Sequence, residues 1–145
     1  MPQKDAFDLQ NFLPYLLNQA AEESSLAFQR IYKDRYGMLR TEWRVLFHLG
    51  LYGRLTAKDI GVRSRMHKTK ISRAVQRLEE WRFLTRAPDE ADRRQEYLEL
   101  TGQGRAAYRD LHGVAEGYDQ ALSEALSTEE ERILRVALRK LARMG

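Results

Sequence analysis

Cysteine is absent from this 145-residue chain, which excludes disulfide scaffolds, thiolate zinc sites, iron–sulfur clusters and thiol-based redox sensing. A reducing cytosol suits such a chain, so a cytoplasmic protein is expected. Proline is scarce, with three residues, and glycine numbers nine, which favours long helices over a many-stranded fold. No long hydrophobic run occurs, and the longest mostly apolar stretch, residues 45–52, is broken by His48. Residues 1–5 are polar and run into Ala6-Phe7-Asp8 without an apolar core, so neither a leader nor membrane attachment is expected. Acidic residues are missing from 63–77, where six cations (Arg63, Arg65, Lys68, Lys70, Arg73, Arg77) stand unrelieved.

What is present describes a soluble chain with a core. Hydrophobic residues make up 43% and charged ones 32%, too apolar for disorder and too polar for a membrane span. Leu9, Leu13, Leu16, Ala20, Ala27 and Ile31, widened by Leu17, Ala21, Phe28 and Tyr32, predict one long helix with Pro14 in its first turn and Gly37 after its end. A helix over 14–36 would be about 35 Å long, more than a small core needs. A second helix is expected with Thr41 as cap, Trp43, Leu46, Phe47 and Leu51 inward, and Gly53 at its end. Thr56-Ala57-Lys58-Asp59 reads as a capping box opening a short third helix that Gly61 closes.

A fourth helix is predicted from about His67 to Trp81, burying Ile71, Val75 and Leu78. Residues 83–87 and 96–100 alternate as strands around a charged, turn-rich segment and predict a hairpin. Thr101 then caps a helix to roughly Ala125. Ser127-Thr128-Glu129-Glu130 is a second capping box, opening a last helix with Ile133, Leu134, Ala137, Leu138 and Leu141 on one side.

The modest net charge of +4 is unevenly spread. Residues 54–94 hold 12 Lys or Arg and six acids, giving +6 and leaving −2 for the rest. Solvated helix faces usually mix signs, so an acid-free basic face points to an anionic partner. On the fourth helix, Lys68, Lys70 and Arg77 can neutralise phosphates while Thr69 adds a hydroxyl. Ser72, Arg73 and Gln76 can reach base edges in a major groove that admits a helix. At the hairpin tip, Arg93 and Arg94 suit the electronegative minor groove, with Asp92 to orient an arginine.

This arrangement resembles the MarR-type winged helix-turn-helix transcriptional regulators. The resemblance runs from about Leu9 to Leu141. It is densest from His67-Lys68-Thr69-Lys70-Ile71-Ser72-Arg73-Ala74-Val75, through Leu78-Glu79 to Leu84-Thr85-Arg86, then Asp92-Arg93-Arg94, Leu98-Glu99-Leu100-Thr101 and Gly104. It implies a single domain over 1–145, mainly α with a small β-hairpin wing. Residues 39–104 would form the winged helix-turn-helix, and 9–37 and 105–145 would supply dimerisation helices. Lys68 to Arg77 then becomes the recognition helix and Asp92-Arg93-Arg94 the wing tip.

A homodimer also follows from the apolar stripes of the first and last helices, which otherwise would need a domain core to cover them. Twofold symmetry predicts an inverted-repeat operator with half-site centres roughly 10–10.5 base pairs apart. Tyr15, Phe28, Tyr32, Trp43, Phe47, His48, Tyr108 and His112 gather near the first, second and fifth helices, as either core or a crevice. The resemblance implies that such a crevice takes a small aromatic or anionic effector, with Arg40 and Arg44 available to its charge or to an ion pair with Glu42. The overall expectation is a repressor released by that effector. A winged-helix module binding protein or RNA without an effector is the alternative. The three histidines lack companions at metal-ligand spacing, and no nucleophile, phosphate loop or catalytic carboxylate pair occurs, so no cofactor, metal or enzyme activity is expected.

Overall fold

The computed structural model describes residues 6–144; the polar segment 1–5, on which the expectation of no leader rests, lies outside them. The chain divides into two compact units, one ending at Tyr108 and one beginning at Arg109.

The first unit opens with a single 3-10 turn, Leu9–Asn11, and a long helix α1, Leu13–Tyr36, with Pro14 in its first turn. Gly37 ends α1 in the left-handed region, at φ 69°, and its N–H reaches the Lys33 carbonyl. Helix α2 is Arg40–Tyr52. Its cap differs from the expectation: Leu39 occupies the cap position, and its N–H donates to Glu42 Oε1 at 3.3 Å. Thr41 lies inside the first turn, where its hydroxyl donates to the same carboxylate. Leu51, expected inward, is 55% exposed, because the buried stripe is Glu42, Val45, Leu46 and Leu49, at steps of three, four and seven.

Strand β1, Leu55–Thr56, is followed by α3, Ala57–Ser64, and α4, Lys68–Glu80. The predicted capping box holds: Thr56 N–H donates to Asp59 Oδ2 at 3.0 Å, and Asp59 N–H to Thr56 Oγ1 at 3.1 Å. Gly61 does not close α3. It sits inside the helix because α4 comes close there, and a Cβ at this position would stand 3.2 Å from Ile71 Cδ1. Arg65, left-handed at φ 60°, ends α3 instead.

Strands β2, Leu84–Pro88, and β3, Glu96–Leu100, form the predicted hairpin, shifted by one residue in its first arm because Phe83 N–H is held by the Leu78 carbonyl. β1 pairs with β3 to give an antiparallel sheet of order β1-β3-β2. Pro88 is compatible with strand structure because β2 is an edge. Helix α5, Gly102–Ser123, starts where Thr101 Oγ1 accepts the Gly104 N–H at 3.0 Å. Gly104 is obligatory, since a Cβ there would overlap the Phe83 carbonyl oxygen at 1.9 Å. The core of this unit is made by Met38, Leu46, Leu49, Ile60, Ile71, Leu78, Leu84 and Leu98.

The second unit holds the rest of α5 and α6, Thr128–Leu141, opened by the Ser127–Glu130 capping box. Its apolar stripe is uncovered: Ile133, Leu134, Leu138 and Leu141 are all exposed. In the first unit Leu9, Leu13 and Leu16 are likewise exposed, and only Phe28 and Tyr32 of α1 are buried.

Candidate nucleic-acid interface

Helix α4 separates its residues cleanly by side. Ile71, Ala74, Val75 and Leu78 recur at steps of three, four and seven and are buried. Lys68, Thr69, Lys70, Ser72, Arg73, Gln76 and Arg77 all face outward. His67 caps the helix, its Nδ1 accepting the Thr69 N–H at 3.2 Å. Lys68, Lys70 and Arg73 have no carboxylate partner among the described residues. Gln76 is loosely tied to Glu80, at 3.5 Å.

Arg63 and Arg77 of the acid-free block are engaged elsewhere. Arg63 lies over the Tyr52 ring at 4.2 Å. The Arg77 guanidinium, expected at a phosphate, sits 3.5 Å from the buried Glu42 carboxylate and 5.4 Å from the Trp81 ring. Arg77 is thus set apart from Lys68, Lys70 and Arg73, and it ties α4 to the first turn of α2.

The hairpin tip is a tight, internally bonded turn. Gln95 N–H donates to the Asp92 carbonyl, Asp89 N–H to the Gln95 carbonyl, and Ala91 N–H to Asp89 Oδ1. Asp92 Oδ1 accepts from both the backbone N–H and Nε of Arg94, each at 3.1 Å. The Arg94 side chain is nevertheless 91% exposed, so its guanidinium is held against Asp92 along one edge and open to solvent along the other. Arg94 beside Asp92 holds that carboxyl below its ordinary range, chiefly through the side-chain hydrogen bond. Arg93 is exposed beside it. Between α4 and the wing lies an open cleft of about 380 Å³, whose walls include Lys58, Ser72, Arg86, Arg94 and Glu96.

Part of the aromatic group comes together as a chain of ring contacts. Trp43 stacks on Tyr32 at 5.9 Å and 5°, meets Phe28 edge-on at 5.2 Å, and touches Phe47 at 5.1 Å; Phe47 in turn meets Tyr108 at 5.3 Å. Tyr108 fits because residue 50 is glycine, where a Cβ would lie 2.4 Å from the Tyr108 ring. Burial raises the Tyr32 phenol above its ordinary pKa, with the nearby Arg40 and Arg44 opposing. Arg40 also donates to Ser25 Oγ at 3.2 Å. The Trp43 Nε1–H is buried and meets no acceptor among the described residues. Tyr15 is half-buried and makes no ring contact among them. His48 turns to the Arg44 carbonyl and the Tyr52 ring, and His112, in the second unit, faces Glu116 at 3.1 Å.

Residues 36–95, from the end of α1 through α4 to the wing, match the sequence model of the MarR family. Over this segment the chain is similar to the MarR family. The chain is 28% identical over 129 residues to the HTH-type transcriptional regulator FarR of Neisseria gonorrhoeae, covering 88% of the chain and 87% of the relative. Family and relative are transcriptional regulators rather than enzymes, and this is a transcriptional regulator of MarR type. Two solved structures share the fold. One is Bordetella bronchiseptica BpsR, whose DNA binding is regulated by 6-hydroxynicotinic acid (TM-score 0.87, 23% identity, 97% of this chain and 100% of that one). The other is a cysteine-to-serine mutant of MarR from E. coli in complex with operator DNA (TM-score 0.83, 20% identity, 95% and 99%).

Two residues of the matched segment escape a reading by composition. Glu42 is almost fully buried and serves both the start of α2 and Arg77. Arg86 bridges Glu79 and Glu96. An acid three residues after a loop residue is a capping signal that could have flagged Glu42; nothing local announces the partners of Arg86. Among the described residues no helix is long and apolar enough to cross a membrane, and no three His, Cys, Asp or Glu are grouped to hold a metal.

Proposed function

We propose that this regulator binds a pseudopalindromic operator as a homodimer, represses by occupying it, and is released by a small aromatic or anionic effector. Residues 39–104 form the reading head. The acid-free outward side of α4 carries this reading: Lys68 and Lys70 meet phosphates, and Thr69, Ser72, Arg73 and Gln76 lie within reach of the major groove. Asp92, Arg93 and Arg94 supply the minor-groove contact, with Arg94 as its point. Arg77 acts as a strut to Glu42. The likeness in fold to a MarR protein bound to operator DNA supports the same mode of use.

The dimer rests on the exposed apolar residues of 9–37 and 105–145, among them Leu9, Leu13, Leu16, Ile133, Leu134, Leu138 and Leu141, since apolar stripes left in water mark interaction sites. For the effector, the site is assigned to the ring cluster Tyr32, Trp43, Phe47 and Tyr108, with Arg40 beside Tyr32. The buried Trp43 N–H is a donor without an acceptor, which suits an oxygen of a carboxylate or phenol. BpsR, a regulator of similar fold, responds to a hydroxylated aromatic acid.

Selection of bound duplexes from a random pool tests the reading. Enrichment of an inverted repeat with half-site centres roughly 10–10.5 base pairs apart is expected. Recovery of no duplex motif, with capture of RNA or protein instead, would replace it by the alternative winged-helix module. A thermal-shift screen with small aromatic acids tests the crevice.

A further inference from the structure

The wing reaches DNA only if its tip is held at a fixed place beside α4. Its base is secured by two bonds to backbone carbonyls: Thr101 N–H donates to the Phe83 carbonyl at 3.0 Å, and the Thr101 hydroxyl to the Arg82 carbonyl at 2.6 Å. From there the β2–β3 register pairs Leu84 with Leu100, Arg86 with Leu98 and Pro88 with Glu96, placing these six residues on one side of the hairpin. Leu84, Leu98 and Leu100 are buried on that side, so the apolar attachment of the hairpin ends at the level of Leu98. Arg86 stands opposite Leu98, at the point where the attachment gives out.

Its guanidinium spans three elements. Nε lies 3.1 Å from Glu79 Oε1 on α4, and Nη1 lies 3.4 Å from Glu96 Oε2 on β3. Glu96 follows directly after the turn that carries Arg94. A strand advances about 3.4 Å per residue, so the tip stands roughly 17 Å beyond Leu84. A tilt of about 10° at the base would therefore carry the tip about 3 Å, the whole length of a hydrogen bond.

We propose that Arg86 is a positioning residue that sets the wing against the recognition helix and fixes the width of the cleft between them, a role that rests on the DNA reading above. With two carboxylates on its guanidinium its charge is already met, which leaves the phosphate contacts to other cations. Isolated exposed ion pairs contribute little, but a single arginine shared between two carboxylates on different elements restrains a lever whose tip does the reading.

Arg86→Met, which keeps the stem and removes the charge, tests the role in two ways. Operator affinity is measured by fluorescence anisotropy in the wild-type and Arg94→Ala backgrounds, using the selected duplex. The expected loss is about three- to tenfold in the first and under about twofold in the second, since the contact being positioned is already gone, with the salt dependence of binding unchanged. Amide hydrogen exchange of the DNA-free protein should quicken across residues 88–96 and stay unchanged in α4, and Glu79→Gln should reproduce it without touching Arg86. Equal losses in both backgrounds, a salt slope reduced by about one phosphate, or unaltered exchange at the tip would each overturn the proposal. Failure of the pool selection would instead refute the DNA reading, and the exchange measurement would still decide the clamp.

Discussion

Replacing Asp92 with alanine sets two physical effects against each other with opposite signs. Removing an acid from a surface that approaches phosphates should tighten binding if charge count governs the wing. Removing the carboxylate that fixes Arg94 should weaken it, because a free arginine must then be ordered when DNA binds. The geometry favours the second. Asp92 holds Arg94 by its backbone N–H and its Nε at 3.1 Å each, with Nη2 at 3.5 Å, while Nη1 and the outer edge of the guanidinium stay open to solvent. Immobilising a rotamer-rich side chain on binding generally costs about 0.5–1.5 kcal/mol, or roughly two- to twelvefold in affinity. Asp92→Ala should therefore weaken operator binding by several-fold, in anisotropy titrations repeated at three salt concentrations. The variant's loss should vanish in the Arg94→Ala background. Tighter binding by Asp92→Ala at every salt concentration would refute the orienting role.

The same pair gives a pH expectation. The Asp92 carboxyl is held below its ordinary value of 3.8, so the clamp is intact above that value and is lost only as pH falls through the lowered one. Operator affinity should show no wing-dependent change between about pH 5 and 8, measured as the difference between wild type and Arg94→Ala. Arg73→Ala and Gln76→Ala should change preference among operator variants by about 1–3 kcal/mol per lost base contact, read from competition binding; a uniform loss across all sequences would make them phosphate contacts. Gly104→Ala should lower thermal stability by at least about 1–3 kcal/mol, because the added Cβ meets a backbone carbonyl that cannot step aside; an unchanged melting temperature would contradict the packing of α5 on Phe83. Light scattering should give twice the chain mass, and a monomer at micromolar concentration would remove the dimer.

How much of this was legible in the sequence depended on how local the deciding interaction is. Helix α4 was readable to within a residue, because its buried positions recur regularly and its other side is polar throughout. The two capping boxes at Thr56 and Ser127 were readable for the same reason: donor and acceptor lie three residues apart. Strand β1 was not, since two residues cannot show alternation and Thr56 also caps α3. Gly61 looked like a terminator, and only its proximity to Ile71 explains a glycine inside the helix. Arg77 counted as one cation among six until the fold brought Glu42 beneath it. Leu51 was placed inward by apolar character alone, whereas burial on α2 follows the side that meets α4. Asp92 and Arg94, two residues apart, were found together because a turn joins them, while Arg86 depends on partners seven and ten residues away.

In the proposed mode of binding, two elements read one duplex, α4 in the major groove and Arg94 in the minor groove. Hydroxyl-radical footprinting of the selected operator, with wild type and Arg94→Ala compared at equal occupancy, tests it most directly. Wild type should protect a minor-groove segment beside each half-site, symmetric about the dyad, and Arg94→Ala should lose those protections alone. Identical footprints from the two proteins would contradict the account.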